Sequence, residues 1–106
     1  MTLDEYTDAE GHVPFREWFD ALDVVAAARV SVALTRMEEG NLARSKSVGG
    51  GVLELKIDAG PGYRIYYGRD GDTLIILLGG GTKRRQERDI ADAKTCWADY
   101  KKRKKG

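Results

Sequence analysis

Two alternating runs bring basic side chains towards a common surface. In VLELKID (52–58), Leu53, Leu55 and Ile57 alternate with Glu54, Lys56 and Asp58, the pattern of a strand with one apolar face. In GYRIYYGR (62–69), Tyr63, Ile65 and Tyr67 form one set, and Arg64 and Tyr66 the other. If the two apolar sets share a core, Glu54, Lys56, Arg64 and Tyr66 fall together on the opposite, open face. Lys83, Arg84 and Arg85 follow the triple glycine where the last strand leaves the sheet, so one or two of them are expected to overhang that face. Such cations hold phosphates and stabilise charge that builds on a scissile phosphate. An exposed tyrosine beside them, here Tyr66, can stack on an unpaired base. The surface is therefore of the kind that RNA gripping or RNA cleavage needs. The competing reading is a solvated sheet face with ordinary cross-strand pairs, such as Glu54 or Asp58 with Arg64.

Other residue types point elsewhere. His12, the only histidine, lies in a loop ahead of a helix and reads as solvated. Cys96, next to Trp97, reads as a small half-buried side chain, and Trp18 and Phe19 read as core. The glycine triplets at 49–51 and 79–81 lack the GK[ST] of a phosphate-binding P-loop and read as turns. HExxH, GxSxG and a metal-holding carboxylate cluster are all absent from the sequence. Any chemistry is expected to run without a metal, a cofactor or a histidine–serine pair.

The elements that must position these residues follow from periodicity. Residues 2–7 suggest a short edge strand. Val13-Pro14 opens a helix, since proline at the first helical position gives up only an N–H that has no partner there. FREWFDAL (15–22) continues it with Phe15, Trp18, Phe19 and Leu22 on one side. Asp23 is the expected N-cap of a second helix over 24–39, which Gly40-Asn41 ends. The two helices form an α-hairpin. From 45 onwards the period becomes that of strands: 45–48, 52–58, 62–69 and 73–79, with Asp70-Gly71-Asp72 as a hairpin turn. TLIILLG (73–79) is apolar on both faces and belongs in the middle of the sheet, with Gly79-Gly80-Gly81 expected to break it. Ile90, Ala93, Trp97 and Tyr100 mark a C-terminal helix ending in a frayed basic tail. The fold class expected is α+β: one domain over 1–100, its helices on one face of an antiparallel sheet, and a basic tail at 101–106.

Bulk properties agree with one soluble domain. The 106 residues are 42% hydrophobic and 33% charged, and no apolar run approaches the ~20 residues of a membrane span. The single cysteine excludes an internal disulfide and a cysteine-based zinc site. The acidic start MTLDEYTDAEGH lacks the basic-then-apolar order of a secretory signal, so a cytoplasmic location is expected. The net charge of +1 hides an asymmetry: residues 1–43 balance at −6 and residues 44–106 at +7, with five consecutive cations at 101–105. A basic half of this kind suggests a polyanionic partner. Lys101, Lys102 and Arg103 are its candidate RNA contacts, and a solubilising end is the alternative.

FREWFDAL, EEGNLARSK and VGGGVLELKIDAGPGYRIYYGRDGDTLIILLGGGTKRRQERDIADAK together resemble the RelE/ParE superfamily of bacterial toxins. Within it the chain is most similar to the small HigB-like "addiction module killer" group, over about residues 13–97. The resemblance implies a RelE-like fold, an α-hairpin on an antiparallel sheet with a C-terminal helix. It also implies a toxin that cuts mRNA in the ribosomal decoding site through attack of the RNA's own 2′-hydroxyl, without a metal. On that comparison Lys56 corresponds to a catalytic lysine and Arg64 to an arginine at the scissile phosphate. Lys83 or Arg84 would supply a further catalytic cation, with Lys46 and Arg85 as additional RNA contacts. Glu54 stands where RelE has a second lysine, and RDIADA (88–93) shows no clear equivalent of the tyrosine that RelE carries near the start of its last helix. The implied partners are the ribosome, mRNA and a DNA-binding antitoxin. Two other outcomes stay open: a ParE-like gyrase inhibitor that acts by binding, and a degenerate toxin that only binds its antitoxin.

Overall fold

A computed structural model describes residues 1–105 of the chain. The elements run β1 (Thr2–Glu5), α1 (Pro14–Asp20), α2 (Val24–Glu38), β2 (Ser45–Gly49), β3 (Val52–Ile57), β4 (Tyr63–Asp70), β5 (Leu74–Thr82) and α3 (Gln86–Lys105). A single 3-10 turn, Lys83–Arg85, leads from β5 into α3. The five strands form one sheet in the order β1-β5-β4-β3-β2. The α-hairpin forms as its sequence dictates. Pro14 occupies the first turn of α1, and the Asp23 carboxylate caps α2 by accepting from the Ala26 N–H at 2.8 Å. Gly40, at φ +87, ends α2 in a conformation that a side chain would strain.

Three expectations are corrected. The sheet is mixed rather than antiparallel: β2 to β5 form an antiparallel meander, but β1 pairs with β5 in parallel, Leu3 opposite Ile75. The helices cover both faces, not one. Phe15, Val30 and Met37 of the α-hairpin pack with Leu55, Ile65, Tyr67, Ile75 and Leu77 on one face. On the other, Ala93 and Trp97 of α3 pack with Tyr6, Val52, Tyr66, Ile76 and Leu78. Finally, β5 runs through the second glycine triplet to Thr82 instead of breaking there.

Close approach explains the glycines. A Cβ at Gly80 would overlap the Trp18 ring, so the bare backbone lets α1 settle directly onto β5. On the other face, a Cβ at Gly68 would stand 2.6 Å from the Trp97 ring. Trp97 thus lies flat on the middle of β4, stacked on Tyr100 with ring centroids 5.2 Å apart. The basic end is helical as well. Lys104 and Tyr100 both bond Asp70, Arg103 bonds Asp99 and the Thr7 carbonyl, and Tyr6 donates to Asp99. These partners, long-range except for the i,i+4 pair Arg103–Asp99, accompany α3 to Lys105 where a frayed tail is expected from composition. Of the expected tail, only residue 106 lies outside the described residues. No helix among the described residues is long and apolar enough to cross a membrane.

Candidate functional site

β3 and β4 pair so that Lys56 faces Arg64 and Glu54 faces Tyr66, all four on the α3 side of the sheet. Alternation along the two strands, joined by a turn at Gly60–Gly62, requires this register. What alternation does not contain is how much of that side α3 covers. Its first turn begins beside β3, where Gln86 donates from Nε2 to Glu54 Oε2 at 2.8 Å. Glu54 is only 2% exposed, and its other oxygen lies 3.6 Å from Arg64 Nε and 3.8 Å from Lys46 Nζ. A buried carboxylate needs such partners, because an isolated charge out of water is very costly.

Arg64 is held from two directions. Its guanidinium meets Glu54 on one side and donates from Nη1 to the Gly62 carbonyl at 2.6 Å on the other. Nε itself is buried and forms no hydrogen bond. At 5% exposure Arg64 does not stand on an open face, which corrects the expectation from alternation. It instead forms part of the wall between two hollows. One is lined also by Lys46, Glu54 and Lys56, and the other by Lys56, the Ala59–Gly62 turn and Lys83. Lys56 is half-exposed, borders both hollows and lies 3.7 Å from Asp58, which is also bonded by Arg44. The two hollows together hold five cations (Arg44, Lys46, Lys56, Arg64, Lys83) against two carboxylates (Glu54, Asp58), an excess of three positive charges. A buried, fixed guanidinium with exposed lysines around it suits a phosphodiester: Arg64 sets the position, and the lysines add charge.

Tyr66 is a further correction. It is 0% exposed and packs under α3, so it is not available to stack on a base. Its hydroxyl has no hydrogen-bond partner, and burial first and the adjacent Glu54 second raise its pKa well above the usual phenol value. Close by, burial raises the Asp89 carboxyl, and that side chain lies against Gly81 where a Cβ could not fit.

The structure therefore groups Lys46, Lys56, Arg64 and Lys83. Arg84 and Arg85 are exposed on the 3-10 turn and line neither hollow. Lys101, Lys102 and Arg103 are exposed at the far end of α3. Residue 102 is sixteen positions beyond Gln86, about 24 Å along the axis at ~1.5 Å per residue. Gln86 escapes sequence reasoning, whereas Glu54 is expected on this face and as a cross-strand partner of Arg64, a pair the structure contains, but not as a buried carboxylate. The available signals are a charge between leucines at 54 and an uncharged side chain closing the KRRQ run.

Comparison with known proteins adds two findings. The family model described as phage-derived protein Gp49-like (DUF891) matches residues 17–101. An uncharacterized protein of Haemophilus influenzae is 41% identical over 81 residues, covering 76% of this chain and 82% of that protein. The residues matched by the family model include every residue of the two hollows.

Proposed function

This chain belongs to the phage-derived Gp49-like (DUF891) family, and from that footing we propose that it is the toxin of a toxin–antitoxin pair, a ribosome-dependent endoribonuclease. One observation carries the reading: Arg64, clamped between Glu54 and the Gly62 carbonyl, forms the wall of two cation-rich hollows that share Lys56. In the proposed reaction the 2′-oxygen of the RNA attacks the adjacent phosphorus and loses its proton. The P–O5′ bond breaks and the departing oxygen takes up a proton, leaving a 2′,3′-cyclic phosphate and a 5′-hydroxyl. Arg64 and Lys83 neutralise the charge that grows on the non-bridging oxygens. Lys56, the half-exposed group between the hollows, handles a proton at the reacting oxygens. The antitoxin, the ribosome and mRNA are the partners in this reading, and its setting is the cytoplasm.

A second reading, a toxin that acts by binding alone, draws on the burial of Arg64 and its pairing with Glu54, which a purely structural arginine would share. RNA-end mapping in translating cells separates the two. The nuclease reading predicts new 5′-hydroxyl ends inside translated frames, lost with Arg64→Lys. Growth arrest with intact transcripts would select the binding reading, and DNA-damage signalling alongside it would point to gyrase.

A further inference from the structure

The two edges of the Trp97 indole meet different surroundings. Its benzo edge rests on Gly68, while its pyrrole edge points at the turn between β2 and β3, where a Cβ at Gly51 would stand 2.7 Å from Nε1. Gly49, Gly50 and Gly51 all adopt positive φ, at +95, +63 and +83, so this turn needs glycine for its conformation as well as for the close approach. An indole N–H can only donate. Trp97 is 5% exposed, yet its Nε1 has no hydrogen-bond partner among the described residues. It is not sealed in, as the unpartnered Arg64 Nε and Tyr66 hydroxyl are, but opens beside the turn. Two lysines flank it. Lys94 lies across the turn, its Nζ 3.1 Å from where a Gly49 Cβ would stand, and Lys101 Nζ is 5.7 Å from the centre of the Trp97 ring. They are seven positions apart, about 10 Å along α3. Lys46, Lys56 and Lys104 pair with carboxylates, but among the described residues neither Lys94 nor Lys101 lies within ion-pair distance of one. No acidic residue stands three or four positions from either along α3. Asp99, two positions before Lys101, is taken by Tyr6 and Arg103.

We propose that the glycine turn and this flank of α3 form a subsite for an RNA backbone phosphate. The Trp97 N–H donates to a phosphate oxygen, and Lys94 and Lys101 neutralise its charge from either side. Three side chains that donate and do not accept select an anion. Continuity favours RNA over an acidic protein segment. β2, the edge strand that ends in this turn, also carries Lys46, which lines one of the two cation-rich hollows and stands three residues before Gly49. An RNA chain leaving that hollow along β2 finds its next cations at Lys94 and Lys101. That continuity rests on the function proposed above, whereas the anion subsite stands on its own donors.

The test titrates the 15N-labelled full chain with a 2′-O-methyl RNA oligomer, which cannot be cut by attack of a 2′-oxygen. The Trp97 indole N–H resonance moves on binding, while that of Trp18, packed on Gly80 at the opposite face of the sheet, stays. Lys94→Ala/Lys101→Ala weakens binding about tenfold or more and lowers the slope of log K against log salt by ~1.4, as expected for two lost phosphate contacts. Arg29→Ala/Arg36→Ala, an equal loss of charge on α2, keeps the wild-type affinity. All four positions are exposed, and thermal melts confirm that the variants fold. Co-sedimentation with small ribosomal subunits free of mRNA reads the source of the RNA: weaker binding of the lysine double variant assigns the subsite to ribosomal RNA, and unchanged binding assigns it to the message. A wild type that does not bind the oligomer, a Trp97 indole that does not move at saturation, or a lysine double variant with wild-type affinity and salt slope overturns the inference. So does a Trp97 shift produced by poly-glutamate and not by RNA, which would give the subsite to an acidic protein segment. Absence of RNA cleavage in cells with this binding intact would count against the proposed function alone.

Discussion

Under α3, one sheet face carries two surfaces of opposite character. Around Trp97 it is apolar and sealed: Val52, Tyr66, Ile76 and Leu78 are buried, and Gly68 lets the indole lie against the strand. Two residues along the same strands, next to Val52 and Tyr66 on this face, lie Glu54 and Arg64, also buried but charged, with Lys46 and Lys56 opening to solvent beside them. The boundary falls at Tyr66, whose ring belongs to the first surface and whose unpartnered hydroxyl points at the second. Stability and chemistry are thus divided along single strands. The apolar end anchors α3, and its first turn then supplies Gln86 to steady the charged end.

Removing the apolar anchor should have the largest effect. Trp97→Ala is expected to lower unfolding free energy by about 4 kcal/mol, read from denaturant titration. A loss below about 1 kcal/mol would mean that α3 is not held by the indole. Next comes the buried anchor of the charged end. Glu54→Ala leaves Arg64 buried without its carboxylate and should cost about 3 kcal/mol, much of it restored by adding Arg64→Met. Equal stability of the single and double variants would show that the pair is not coupled.

How much of this is legible in the sequence differs between the two surfaces. The Lys56–Arg64 register follows from two alternations joined by a glycine turn, and the structure keeps it. The cover over that face does not follow from local pattern, although TLIILLG, apolar on both sides, carried the clue that both faces of β5 are buried. Alternation alone puts Tyr66 and Arg64 in the open, whereas α3 packs over Tyr66 and both residues are buried. The parallel pairing of β1 has no local signal, since it depends on residues more than seventy positions away. Gly80 and Gly81 look like breakers but admit Trp18 and Asp89, a distinction that only the packed partner reveals. The five terminal cations read as a tail because Thr7 and Asp70, which bond Arg103 and Lys104, are distant in the chain.

Two smaller effects sharpen the comparison. Tyr66→Phe removes a buried hydroxyl that has no partner and should leave stability unchanged or raise it by up to about 1 kcal/mol. A clear loss would place a hydrogen bond between Tyr66 and Glu54. Acid should act mainly at the far end of α3. Lys104 and then Tyr100 hold the Asp70 carboxyl below its ordinary value, and the Tyr6 hydroxyl does the same for Asp99. A folded pKa below the unfolded one gives stabilisation that is complete above the unfolded value, about pH 4, and is lost as pH falls through the folded value. Amide exchange at residues 101–104 should therefore rise relative to Ile90 below about pH 4, and Asp70→Asn should flatten that dependence.

The most direct measurement compares RNA ends produced in translating cells by wild type and by Lys56→Ala, a half-exposed change that leaves the Glu54–Arg64 pair in place. The proposed chemistry predicts internal cleavage with 5′-hydroxyl and 2′,3′-cyclic phosphate ends for wild type. For the variant it predicts a loss of about a hundredfold or more at unchanged stability. Intact transcripts with wild type, or equal cleavage by the variant, would contradict it.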